Sequence, residues 1–228
     1  MRRGWGVVAG LAALVAGACA DDAEQTAITS TVTSLLSTTT VTGAPVTTTS
    51  TGAESSAVPV SLRIDRRTTD AATADFDAVV RSTLVDARGW QQAGFEFRFD
   101  EPDAPYVVVL AESDEVDALC FPYDTGGLYS CQNGPVVALN ADRWRSATPE
   151  WTGDLATYRQ MLVNHEVGHL IGRHHPRAPQ CPEPGRPALV MSQQSTELDG
   201  CLPNPWPLPE EIAAAALHDE PLAPPYEG

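Results

Sequence analysis

Alternating apolar and polar positions predict several strands. The segment 60–64 alternates valine, leucine and isoleucine with polar residues, and the segment 95–99 alternates three phenylalanines with charged residues. This period of two is typical of strands with one buried face. The continuous apolar run 106–110 predicts a strand buried on both faces, and 135–140 predicts another short strand after an Asn-Gly turn.

A period of three to four residues predicts three helices. Thr69 or Asp70 can cap a helix that extends to about Gly89, because the apolar residues within it form one stripe. A second helix is predicted over 155–171, and a short one over 210–217, directly after a proline. The order of strand, helix, several strands and helix indicates an α+β fold.

The chain divides into three regions by composition. Residues 58–228 carry the periodic patterns and are predicted to form one domain. Residues 19–57 are rich in threonine and serine and contain no aromatic residue, which predicts a disordered tether. Residues 1–18 combine an arginine pair with a short apolar run, which is typical of an export signal rather than a spanning helix.

Processing of the export signal has two main interpretations. The segment 16–19 resembles a bacterial lipobox, in which Cys19 is lipidated and becomes the first residue, although Ala16 replaces the usual leucine. Cleavage after Ala20 by an ordinary signal peptidase is the alternative, and an uncleaved anchor is a third. We favour the lipoprotein, which places the domain outside the cytoplasm, anchored in the cell membrane at Cys19. The alternative is a secreted protein.

The charge balance argues against a nucleic-acid partner. The chain of 228 residues has 30 acidic residues against 14 arginines and no lysine, a net charge of −16. Phosphate backbones require a basic face, which this composition does not favour. An acidic surface by itself names no partner, and the sequence leaves the oligomeric state open.

Cysteine parity indicates two disulfides. Without Cys19, four cysteines remain: Cys120, Cys131, Cys181 and Cys201. An even set in an exported chain is typical of a disulfide framework, and three pairings are possible. We favour the sequence-local pairs, Cys120–Cys131 and Cys181–Cys201, because small loops close easily.

The strongest chemical signal is the histidine-rich segment 165–175. His165 and His169 are four residues apart on a predicted helix, so both imidazoles lie on one face and can bind one Zn2+ together. Glu166 lies beside that face, where it can act as the general base on a zinc-bound water. This spacing predicts a catalytic zinc site.

The residues after the helix supply a third ligand. Gly172 allows the chain reversal that a helix end needs, and the reversal can bring His175 back to the metal. His174 is the rival ligand, but the spacing favours His175. Three protein ligands leave one position open, which defines a catalytic rather than a structural zinc site.

This motif resembles the signature H-E-x-x-H-x-x-G-x-x-H of the metzincin clan of zinc metallopeptidases. The resemblance implies a zincin-like fold with a twisted mixed sheet, an N-terminal helix, an active-site helix and a loop-rich C-terminal subdomain ending in a short helix. It also implies a Met-turn, for which Met191 is the candidate; an ordinary core methionine is the alternative. The clan's sheet has an antiparallel edge strand along the cleft, and 135–140 is either this strand or an interior one.

A closer resemblance is to an uncharacterised family of exported bacterial proteins. It rests on the segments 164–169, 190–194 and 200–207, and covers about residues 58–209. This resemblance implies a metzincin-like domain but no substrate.

Two classes of function follow from these patterns. The first is a cell-surface or secreted zinc-dependent metallopeptidase that hydrolyses peptide or protein substrates with Glu166 as general base. The second is a catalytically silent, metal-bound binding module of the cell envelope. We favour the enzyme, because a purely structural zinc site does not require a carboxylate beside the metal.

Overall fold

A five-stranded sheet is the centre of the fold in the computed structural model, which describes residues 57–225. The strands are β1 (Val58–Arg66), β2 (Phe95–Phe99), β3 (Tyr106–Ala111), β4 (Cys131–Asn133) and β5 (Val136–Asn140). Their order across the sheet is β2-β1-β3-β5-β4. Neighbouring strands are parallel except β4, which pairs antiparallel with β5 at one edge. The structure is therefore a mixed α/β fold, consistent with the predicted α+β class.

The N-terminal predictions lie outside the described residues. These are the signal peptide over 1–18, the lipidated Cys19 and nearly all of the tether. The strand predicted over 60–64 lies within β1, which starts at Val58. Among residues 57–225, no helix is both long and apolar enough to cross a membrane.

Helices cover both faces of the sheet. They are α1 (Phe76–Leu84), α2 (Ser113–Cys120), α3 (Ala141–Arg145), α4 (Leu155–Leu170) and α5 (Pro209–Ala215). Val108 and Leu110 of β3 belong to the large core shared with α1 and α4, whereas Val107 and Val109 belong to a smaller core shared with α2. All six residues of β3 are buried for this reason, as its unbroken apolar run predicts.

The predicted helix from residue 70 to Gly89 is wrong in its length. Asp70 caps only a short 3-10 turn, Ala71–Thr73, by accepting a hydrogen bond from Ala72 N at 2.9 Å. The α-helix proper is Phe76–Leu84, and a second 3-10 turn, Trp90–Ala93, follows it. Val85 is 50% exposed, so the apolar stripe stops before it. The chain leaves the helical path after Leu84, and Trp90 then packs into the core.

The segment 135–140 is an interior strand rather than the cleft edge. Strand β5 lies between β3 and β4, and every residue from Val136 to Asn140 is buried. The antiparallel edge is instead β4, which is only three residues long. Strands this short, and helices as short as α2 and α3, carry too few residues for periodicity to reveal them.

Two disulfides fix the loops around this framework. Cys120–Cys131 joins the end of α2 to the edge strand β4, and Cys181–Cys201 closes a loop in the long irregular segment after α4. Both are the sequence-local pairs. The irregular segment ends at the short helix α5, where the sequence predicts one.

Candidate metal centre

Helix α4 passes through the core and carries the motif. Asp154 caps its start by accepting a hydrogen bond from Thr157 N at 2.7 Å. Every residue from Met161 to Gly168 is buried, including Asn164, His165 and Glu166. Buried polar side chains need partners or a functional reason for their burial. The first part of the motif, with His165 and Glu166, is therefore buried, whereas His169 is half-buried and His175 is exposed.

Gly172 reverses the chain at the end of α4. Its φ is +83°, and the hydrogen bonds Gly172 N to His169 O (3.0 Å) and Arg173 N to Gly168 O (2.8 Å) form a Schellman motif. A Cβ here would lie only 2.7 Å from Cβ of Glu220. Both the conformation and the close approach of the C-terminal segment therefore require glycine.

Three imidazoles converge after this reversal. The Nε2 atom of His175 lies 3.1 Å from Nε2 of His165 and 3.1 Å from Nε2 of His169. The ligand atoms of the three residues all lie within 4.8 Å of one another, so they could hold a metal ion. His174, the rival for the third position, is exposed and is not part of this cluster.

The hydrogen bonds of the first two histidines prepare them as ligands. Nδ1 of His165 is 2.8 Å from the carbonyl oxygen of Val190, and Nδ1 of His169 is 2.7 Å from that of Arg173. A carbonyl only accepts, so each Nδ1 carries the proton and each Nε2 presents a lone pair. Burial lowers the pKa of His165 to about 3 and that of His169 to about 4, so both rings are neutral at neutral pH.

The spacing of the cluster fits zinc. Two nitrogens that each lie about 2.0–2.1 Å from a tetrahedral zinc are separated by about 3.3 Å. The observed spacings of 3.1 Å are close to this value. Two opposed lone pairs at that distance repel each other unless a cation lies between them. The donor set, three neutral imidazoles, is also one that suits zinc.

Met191 packs against helix α4 at Gly168. It is 4% exposed, and a Cβ at Gly168 would collide with its Sδ and lie 3.2 Å from Cζ2 of Trp90. Gly168 thus lets the turn approach α4 closely. The hydrogen bond from Ser192 N to Leu189 O closes this turn around Met191. The packing fits the place that a Met-turn would take.

Glu211 holds the Met191 turn and was not foreseen from the sequence. Its carboxylate accepts hydrogen bonds from the backbone N–H groups of Val190, Met191 and Leu208, each at 2.9 Å. Burial raises the pKa of Glu211, and these three donors oppose that rise. The carbonyl of Val190 in turn orients His165. By holding the Val190 turn, Glu211 therefore helps to keep the ring of His165 in place. Its position in the first turn of α5 looks like that of an ordinary surface acid, so the sequence gives no signal.

Glu166 is the buried acid beside the cluster. It is 5% exposed, and among the described residues its carboxylate accepts no hydrogen bond. Burial alone raises the pKa of Glu166 to about 8. The side chain lines the same cavity as the three histidines. An unpartnered carboxylate in this position is suited to exchange a proton with a molecule in the cavity.

The cavity has a volume of about 490 Å3 and is large enough for part of a peptide. The edge strand β4 lines it through Cys131 and Gln132, and the disulfide loop before β4 contributes Tyr123 and Tyr129. Tyr123 is 61% exposed, so the loop forms a rim rather than a lid packed onto the protein. Arg143 also lines this cavity, a position that the sequence patterns did not indicate.

The chain forms a mixed α/β domain in which three converging histidines could hold a metal ion. The chain belongs to the family described as "Protein of unknown function (DUF3152)", whose model matches residues 37–209, about three quarters of its 228 residues. A search of curated proteins finds no match.

Proposed function

We propose that this protein is a zinc-dependent peptidase that acts outside the cytoplasm. The observation that carries the proposal is the position of Glu166, a buried and unpartnered carboxylate that shares a cavity with three converging imidazoles. A structural metal site does not need this acid, and isolating it costs folding free energy. Retaining such a group is typical of catalytic sites.

The residues that would hold zinc are His165, His169 and His175. When bound in a site with three protein ligands, zinc polarises a carbonyl oxygen and makes a water molecule more acidic. Val190 O and Arg173 O keep the two helix histidines in the tautomer that presents Nε2 to the cation. Met191 and Gly168 set the distance between the turn and the helix on which those rings are mounted.

Proton transfer is assigned to the Glu166 carboxylate. In peptide hydrolysis an attacking water loses a proton, and the leaving amine gains one. A carboxylate oxygen of Glu166 takes the first proton and then delivers it to the amine nitrogen. Burial raises the pKa of Glu166, which makes its ionised carboxylate a stronger base towards that proton.

The edge strand β4 is the proposed binding site for the substrate backbone. It borders the cavity, and among the described residues its outer side is not paired with another strand. An extended peptide can add to such an edge through main-chain hydrogen bonds. Cys131–Cys120 anchors this edge to α2, so the strand is held in place for docking.

Other features support the metzincin resemblance and the location. The antiparallel edge strand β4 packs next to the motif helix, and Met191 packs against Gly168 of that helix. Two disulfides are typical of an oxidising compartment. We therefore keep the proposal of a domain tethered to the cell membrane through Cys19, with a secreted protein as the alternative.

Metal stoichiometry is the first test of the proposal. The purified chain should contain about one zinc per molecule by mass spectrometry, and His169→Ala should lose it. His174→Ala is the matched control, because His174 is exposed and lies outside the cluster. A folded, oxidised wild-type chain that takes up no metal would contradict the proposed site.

Peptide cleavage separates the enzyme from the binding module. Glu166→Gln keeps the shape of the side chain but cannot take up a proton, so it should retain zinc and lose cleavage by at least about 100-fold. Glu210→Gln, on the exposed side of α5, is the control for the same chemical change. Equal cleavage by Glu166→Gln and wild type would contradict the mechanism. Zinc without cleavage of any peptide would favour the binding module.

A further inference from the structure

Arg143 is a cationic side chain on the wall of the cavity that holds Glu166 and the histidines. It belongs to the short helix α3, which directly follows β5. The mechanism proposed above gives Arg143 no role. Neither the proposed metal site nor proton transfer by Glu166 explains why a positive charge lies on this wall.

Arg143 differs from the other arginines of residues 57–225. Eight of them form ion pairs: Arg67, Arg81, Arg88, Arg98, Arg145, Arg159, Arg173 and Arg186. Of the remaining four, Arg63, Arg66 and Arg177 are exposed and can be hydrated. Arg143 is half-buried and has no carboxylate within ion-pair distance among the described residues.

The guanidinium also has an unused hydrogen-bond donor. The Nε of Arg143 is inaccessible to solvent and has no acceptor among the described residues. A buried donor without a partner destabilises the fold. The two Nη nitrogens of Arg143 also make no hydrogen bond within residues 57–225, but unlike Nε they are not sealed from solvent. They are the donors that a ligand in the cavity can reach.

The neighbouring charges do not neutralise Arg143. Burial raises the pKa of Tyr158, the positive charge of Arg143 opposes that rise, and the negative charge of Glu166 adds to it. Arg143, Tyr158 and Glu166 all line the cavity, so the positive and the negative side chain face the same space. Asp124 also lines the cavity, but its carboxylate caps the loop by accepting a hydrogen bond from Gly126 N at 3.0 Å.

We propose that Arg143 forms a carboxylate-binding subsite, so that the preferred substrates carry a carboxylate next to the bond that is cleaved. A guanidinium binds a carboxylate through two parallel N–H···O hydrogen bonds, which no neutral amide can reproduce. The carboxylate comes either from an aspartate or glutamate side chain or from the C-terminus of a short peptide. This inference rests on the proposed peptidase function and names its substrate class.

Matched peptides test the subsite on the full zinc-loaded chain. One pair differs only by glutamate against glutamine beside the cleaved bond, and a second pair differs only by a free against an amidated C-terminus. The wild type should prefer the acid in one of these pairs by about tenfold or more in kcat/KM. The pair that shows the preference identifies the source of the carboxylate.

Variants connect the preference to Arg143. Arg143→Gln should abolish it, and Arg143→Glu should reverse it in favour of a lysine-containing peptide. Arg63→Gln is the matched control, because Arg63 is exposed, lies outside the cavity and forms no ion pair within residues 57–225. Equal cleavage of acid and amide by wild type, or a preference that survives in Arg143→Gln, would overturn the subsite but leave the peptidase intact.

Binding distinguishes the subsite from the peptidase if no peptide is cleaved. Fluorescence anisotropy of the same labelled peptides can be measured on Glu166→Gln, which does not turn them over. Tighter binding of the acidic peptide that disappears in Glu166→Gln combined with Arg143→Gln supports the subsite independently of catalysis. Equal affinity for acid and amide peptides refutes it.

Discussion

Replacing Glu211 by glutamine should lower the stability of the fold and weaken metal binding at the three histidines, although Glu211 is not one of the proposed ligands. The carboxylate accepts three backbone hydrogen bonds at 2.9 Å and is only 9% exposed. Glutamine has one acceptor oxygen, so its amide group must face at least one N–H donor of the turn. Hydrogen bonds to a charged acceptor contribute about 1.5–3 kcal/mol each. We expect Glu211→Gln to lower the free energy of unfolding by about 2–4 kcal/mol.

The same change should weaken metal binding. The turn that Glu211 holds includes Val190, whose carbonyl oxygen orients Nδ1 of His165 at 2.8 Å. Loss of a partner that orients a ligand typically costs about 10–100-fold in metal affinity. Competition with a chelator measures the change in zinc affinity. Unfolding in urea measures the change in stability, and pH 8 is chosen to keep the Glu211 carboxylate ionised.

Glu210→Gln is the control for Glu211→Gln. Both residues lie in the first turn of α5 and carry the same charge, but Glu210 is exposed. We expect Glu210→Gln to stay within about 0.5 kcal/mol of wild type. If both variants have the same stability and the same zinc affinity, the reasoning about the turn is refuted.

Two further predictions concern the helix end and the histidines. Gly172→Ala should destabilise the fold by about 1 kcal/mol more than Gly185→Ala, because both glycines have positive φ but only at Gly172 would the new Cβ also clash with Glu220. Thermal unfolding of the two variants measures this difference. An equal loss of stability in both variants would contradict the clash with Glu220. In the metal-free Glu166→Gln chain, the lowered pKa values of His165 and His169 mean that below about pH 6.5 the unfolded state binds more protons. The free energy of unfolding should therefore fall on acidification from pH 6.5 towards 4. His165→Gln should reduce the slope of this fall. A free energy of unfolding that does not change between pH 6.5 and 4 would contradict the lowered pKa values of the two histidines.

The local features of the site could be predicted from the sequence, because they depend on spacing along one helix. Residues four apart share a helix face, which puts His165 and His169 together, and Gly172 marks the reversal that returns His175. The sequence-local disulfides could be predicted for a similar reason, since short loops close readily. The catalytic role of Glu166 stays a prediction that cleavage assays must test.

Local patterns predict the motif helix, the buried strand β3 and the three convergent histidines, because these features depend on spacing over a few turns and on the reversal at Gly172. Tertiary folding alone placed β5 in the interior and the three residues of β4 at the edge along the cavity. It also brought Glu211 to the turn under His165, and Arg143 to the wall of the cavity. These placements depend on packing between residues that are far apart in the chain, and local patterns of hydrophobicity carry no information about such contacts.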